Sequence, residues 1–142
     1  RQAYRFLCAD FLAKAVCLVF FLLLPTTNVR PAIEGSSLWC VFMRILYQMD
    51  SPTNLFPSIH CLVSWLCFLG VRDAPRTPKA FRYGAFCVAV AIFLSTLTTK
   101  QHVIADVLGG VLLAQISYWA ANKAPVLSRY SRLADCLSQR GR

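Results

Sequence analysis

Four apolar runs, separated by short blocks of Lys and Arg, constrain this chain more than any other feature. They cover residues 6–24, 55–71, 83–99 and 103–121. As a helix rising 1.5 Å per residue, the first would reach about 28 Å, close to the roughly 30 Å of hydrocarbon in a bilayer. The second is a little short for that task. Only Lys100, Gln101 and His102 separate the last two, which predicts a tight antiparallel hairpin. Composition points the same way: 57% of residues are hydrophobic and 15% charged, where soluble domains run nearer about half and a quarter. In lipid, every backbone polar group needs an internal partner. The expected fold is therefore all-α, a multi-span transmembrane helical bundle with four spans plus a surface helix, forming one membrane domain over 1–142.

Asp10 and Lys14 stand four residues apart in the first run, so a helix places them on one face as a pair. Pro25 closes that run. Residues 38–49 are too few to cross. Ser37, Arg44 and Gln48 fall on one helical side there, and Trp39 and Tyr47 suit a headgroup boundary. A helix lying on the membrane surface is expected.

Lys and Arg outnumber Asp and Glu by 15 to 6, an excess that in a soluble chain would raise nucleic acid as a partner. Here the cations lie between apolar runs rather than on one face among stacking aromatics, so no nucleic-acid partner is expected. Four crossings place Arg1 and Arg5, then Arg72, Arg76, Lys79 and Arg82, then Lys123, Arg129, Arg132, Arg140 and Arg142 on one side. The other side holds Arg30, Arg44 and Lys100. The positive-inside bias makes the first side cytoplasmic. The expectation is a multi-pass cell-membrane protein with both ends of this chain, and a basic tail over 122–142, inside. The seven cysteines contain no C-x-x-C pair and lie mostly in apolar stretches. They are expected as small buried hydrophobes, with no disulfide framework or zinc site.

That topology gathers three pieces at the opposite, extracytoplasmic end: Asn28-Val29-Arg30-Pro31 after the first run, Phe56-Pro57-Ser58-Ile59-His60 opening the second, and His102-Val103-Ile104-Ala105-Asp106 opening the fourth. His102 and Asp106 stack on one helical face. A carboxylate holding one imidazole nitrogen leaves the other as a nucleophile or base. His60 falls in a first helical turn, where N–H groups lack partners and the dipole is positive. Pro57 suits the first helical position, and Ser58 adds a hydroxyl. Arg30 offers a planar fork for phosphate oxygens. A zinc site from His60, His102 and Asp106 is the competing reading, but Arg30 and Lys100 would repel a cation. Gly109 and Gly110 are read as small residues permitting close helix packing.

Together these residues resemble the type 2 phosphatidic acid phosphatase (PAP2) superfamily of integral membrane lipid phosphatases and phosphotransferases. Arg30-Pro31 matches the end of its first signature, Pro57-Ser58-Ile59-His60 its Pro-Ser-x-His, and Ser95 with His102 and Asp106 most of the third. Thr27-Asn28-Val29-Arg30-Pro31 and Lys100-Gln101-His102 are similar to the branch of inositol phosphorylceramide synthase-type phosphotransferases. Two departures concern phosphate-binding cations: Leu23 stands where the family has a lysine, and Thr96 where it has an arginine. The family's six spans imply two leading helices absent from this chain. The resemblance implies a phosphohistidine on His102, oriented by Asp106, with His60 as acid and base. Arg30, Ser58 and Lys100 would hold the phosphoryl oxygens of a phospholipid or isoprenyl phosphate, with no metal or other cofactor. A non-catalytic relative with a degenerate phosphate site is the alternative.

Overall fold

The computed structural model describes residues 2–123, which form five helices and no sheet. These are α1 (Gln2–Leu23), α2 (Leu38–Met49), α3 (Ile59–Arg72), α4 (Lys79–Thr98) and α5 (Ile104–Lys123). The all-helical expectation holds, and α2 occupies the residues expected for the surface helix. Among the described residues, α1, α4 and α5 are long and apolar enough to cross a bilayer. The chain is a membrane protein. The basic tail expected from 122 onward lies, beyond Lys123, outside the described residues.

The second of the four expected spans, over 55–71, is not among those three. Helix α3 begins only at Ile59 and has 14 residues, about 21 Å at 1.5 Å each. The delay has a local cause. Ser58 is the N-cap, with extended backbone and its Oγ accepting from the Cys61 N–H. Pro57, expected at the first helical position, instead precedes the cap and follows a cis peptide bond from Phe56. Helix α4 starts four residues earlier than expected, because Lys79 to Arg82 continue the helix beyond its apolar stretch.

Helix α3 sits at the centre, packed against α1, α4 and α5. The core joins Ala9, Ala13 and Cys17 of α1 to Leu62, Leu66 and Leu69 of α3 and Ala114, Tyr118 and Ala121 of α5. Small residues at four-residue spacing on α1 let its backbone approach the larger side chains opposite. Lipid gives helices no hydrophobic reason to associate, so such close packing supplies the attraction. At one end of the bundle Arg5 pairs with Asp73 at 3.1 Å and lies 3.9 Å over the Tyr118 ring. The Tyr118 hydroxyl donates to the Leu69 carbonyl. These bonds fasten α1, α3 and α5 together.

The other end is built from irregular backbone that finds its partners within the protein, as lipid requires. The Thr26 Oγ1 accepts from the N–H groups of both Leu55 and Phe56. Thr27 and Thr53 form an antiparallel bridge, and Asn54, at φ +57°, donates its N–H to the Thr26 carbonyl. The segment leaving α1 is thereby stitched to the segment entering α3.

Candidate active site

The turn between α4 and α5 shapes the first half of the site. Gln101 and His102 both donate their N–H groups to the Thr96 carbonyl, and Lys100 turns the chain at φ +57°. This folds His102 inward, leaving it 7% exposed. Asp106, 5% exposed, lies one helical turn on. Its Oδ2 accepts from the Val103 N–H at 3.0 Å and stands 3.4 Å from Nδ1 of His102. Burial pushes the His102 imidazole below its ordinary range, and the Asp106 carboxylate partly offsets that by favouring the charged form.

The second half is the start of α3. The Ser58 N–H donates to the Asp106 carbonyl at 3.1 Å, so the openings of α3 and α5 are joined by backbone. Gly110 permits this approach: a Cβ there would lie 2.5 Å from the Ser58 carbonyl oxygen. At Gly109 a Cβ would meet the Phe56 ring at 2.6 Å. The reading of these two glycines as close-packing residues is thereby given its contacts. His60 projects from the first turn, exposed. Its ring centroid lies 5.8 Å from that of His102, with the planes tilted by 60°.

Of the remaining expected residues, Lys100 and Arg30 line a cavity of about 460 Å³ beside His102, together with Asn28 and Pro31. Lys100 makes no ion pair among the described residues. Arg30 is heavily engaged. Its Nη2 bonds Asp50 Oδ2 at 2.9 Å, and its Nη1 donates to the carbonyls of Tyr47 and Asp50 at the end of α2. The guanidinium also lies 4.9 Å over the Tyr47 ring. Ser58 is fully buried and lines none of the cavities that reach the two histidines.

Asp50 and Tyr47 are contributors that sequence reasoning did not single out for the site. Asp50 lines a smaller cavity of about 280 Å³ with both His60 and His102. The Tyr47 hydroxyl donates to the Thr99 carbonyl at 2.8 Å, tying α2 to the turn that carries His102. A signal was present: Asp50 is one of only six acids in a strongly basic chain, so an arginine partner was to be sought. Thr96, standing where an arginine was expected, is buried with its hydroxyl donating to the Phe93 carbonyl. A third cavity, about 890 Å³, runs between α3 and α4 from His60 past Val63, Cys67, Ala85 and Val88.

An all-helical membrane protein with two histidines side by side, one backed by a carboxylate, is the class that this fold and site define. The chain belongs to the PAP2 superfamily, whose profile matches residues 1–120. Members of that superfamily are generally phosphatases or phosphotransferases. The chain is also similar to an uncharacterized protein of Methanocaldococcus jannaschii, at 32% identity over 124 residues, covering 81% of this chain and 50% of that protein. This chain thus spans about half the length of the curated relative it matches. No solved structure matches it.

Proposed function

We propose that this chain transfers the phosphoryl group of a lipid phosphate to water or an alcohol through a phosphohistidine on His102, at the extracytoplasmic face. One observation carries the reading. The two imidazoles lie 5.8 Å apart, and only His102 has a carboxylate behind it. That asymmetry separates nucleophile from acid. With Nδ1 facing Asp106, Nε2 of His102 is left to attack phosphorus. A nitrogen–phosphorus bond forms as the ester oxygen departs, taking a proton from His60. In the second half His60 removes a proton from water or an alcohol, whose oxygen attacks phosphorus and releases His102.

Arg30, Ser58 and Lys100 are assigned to the phosphoryl oxygens, whose charge must be stabilised in the transition state. Their situations differ. Lys100 has no competing acid, Arg30 must exchange Asp50, and Ser58 must turn its hydroxyl proton out of the interior. The apolar cavity that ends at His60 supports a lipid, because a tail lying there would bring its leaving oxygen to the acid. A phospholipid or an isoprenyl phosphate meets that description.

The alternative is a non-catalytic relative, favoured by the engagement of Arg30 with Asp50 and by Leu23 and Thr96 in place of cations. Phosphate release from a panel of lipid phosphates in detergent, without added metal, decides between them. The parent is expected to turn over, and His102→Ala to lose at least about 10³-fold. His60→Ala should lose about 10²–10⁴-fold, in the range of a general acid or base. Acid-labile label on the protein, absent from His102→Ala, identifies the intermediate. Unchanged turnover in His102→Ala would sink the assignment.

A further inference from the structure

A further cavity, with cationic and aromatic walls, lies at the end of the α3–α4 pair away from the histidines. It measures about 500 Å³ and is walled by Phe68, Arg72, Lys79, Arg82, Tyr83 and Phe86. From His60 to Arg72 along α3 is about 18 Å at 1.5 Å per residue. The apolar cavity that starts at His60 reaches Phe68 and Val71, so the two share the Phe68 wall while their polar groups stand at opposite ends of the helix pair. Three cations and three aromatic rings share its walls, and no acid does.

The charges there are incompletely matched. Asp73, the nearest acid in sequence, is divided between Arg72 Nε at 2.8 Å and Arg5 at 3.1 Å. Lys79 makes no ion pair among the described residues. Arg82 gives one Nη2 bond to the Ala74 carbonyl, while its Nε is buried and makes no hydrogen bond. Helix α4 begins here too, on Pro78 with no side-chain cap and no acid in its first turn. Lys79 and Arg82 occupy that turn, the sign a helix dipole disfavours. An anion would relieve the cations and the helix terminus together.

We propose that this cavity binds the headgroup of an anionic phospholipid. The guanidinium of Arg72 and the ammonium of Lys79, unpaired among the described residues, with Arg82 beside them, suit the phosphodiester. Phe68, Phe86 and the exposed Tyr83 suit the glycerol and the first carbons of the tails. Basic pockets between membrane helices hold anionic headgroups by this combination of charge and apolar wall. A free phosphate would use the cations alone.

The test is a thermal-stability titration of the purified chain in neutral detergent. Dioleoylphosphatidylglycerol is expected to stabilise at a concentration at least tenfold lower than dioleoylphosphatidylcholine. The double variant Arg72→Gln/Lys79→Gln should lose most of that preference, at roughly fivefold per cation. Arg76→Gln, in the same loop but outside the cavity, should keep it within about twofold, the scale of a distant surface charge. His102→Ala should also keep it, which separates this site from the phosphoryl site. Equal response to the two lipids overturns the proposal. So does a preference that survives the double variant, or one lost equally in Arg76→Gln. Stabilisation by tailless glycerophosphate at the same concentration would overturn the assignment to a lipid.

Discussion

His102 combines two opposing influences, and the balance can be measured. Burial lowers its affinity for a proton, and Asp106 partly restores it. The net shift is downward, so the neutral imidazole that the proposed attack requires survives to lower pH than in a free histidine, whose pKa is about 6.5. The linkage has a definite sign. The stability this group contributes is fully present above the unfolded pKa and is lost as pH falls through the folded one. With two histidines in the chain, isotope-labelled histidine spectra resolve the titration, and His60→Gln assigns it. The His102 midpoint is expected below that of an unfolded control. Asp106→Asn should lower it further, since the removed charge favours protonation, while turnover falls. A midpoint that rises in Asp106→Asn would contradict the geometry. Lys100 permits a different separation, because its φ of +57° suits glycine. Lys100→Gly is expected to keep thermal stability and lose activity about tenfold or more, the scale of one charge-assisted hydrogen bond. Lys100→Arg should keep most activity. Equal activity in the glycine variant would assign Lys100 to the turn alone.

The site depends on how closely the openings of α3 and α5 approach. Gly110→Ala places a methyl 2.5 Å from the Ser58 carbonyl oxygen, a backbone atom that cannot swing aside. Overpacking of this kind costs about 1–3 kcal/mol, so several degrees of melting temperature and much of the activity should be lost together. Gly84→Ala, which would meet nothing within 4 Å, is the control for packing and should keep the parental melting temperature. A Gly110→Ala protein with parental activity would show that the two helices can part without disturbing the histidines. How much of this was legible follows from the same elements. Helices α1, α4 and α5 announce themselves through long apolar runs with cations at their borders, and α2 through a shorter run that carries Trp39 and Tyr47. The apolar run begins at Leu55 and Pro57 suits a first helical position, yet the capping Ser58 starts the helix two residues later, at Ile59. The meeting of His60 and His102 was legible from parity alone, since both open runs that start at the same face. The engagement of Arg30 was signalled only by the scarcity of acids, which gives Asp50 an arginine partner without saying which one, because the contact spans 20 residues and carries no motif.

Taken whole, the described chain has two chemically different ends. One is held by backbone and hydroxyl bonds at Thr26, Thr53, Ser58 and Asp106, with the Asn28 amide donating to the Lys100 carbonyl. The other gathers Arg5, Arg72, Asp73, Lys79 and Arg82. We propose, from the positive-inside bias, that the second end faces the cytoplasm, and reporter cysteines check it. On a background with the native cysteines replaced, Ser36→Cys should react with an impermeant maleimide on intact cells. Arg76→Cys should react only after the membrane is opened. The reverse pattern would turn the molecule over and place the phosphoryl site inside. Helix α3 has 14 residues, and the segment that leads into it is held at its start by the Thr26 hydroxyl.

The pairing of Arg30 with Asp50 bears on how such a site would empty. An arginine already holding a carboxylate gains from an arriving phosphate only the difference between two anions, not the whole attraction. Inorganic phosphate, lacking the tail that a lipid substrate adds, would then have little to retain it. In the proposed reaction the product leaves because Asp50 stands ready to take its seat, and turnover is not throttled by accumulated phosphate.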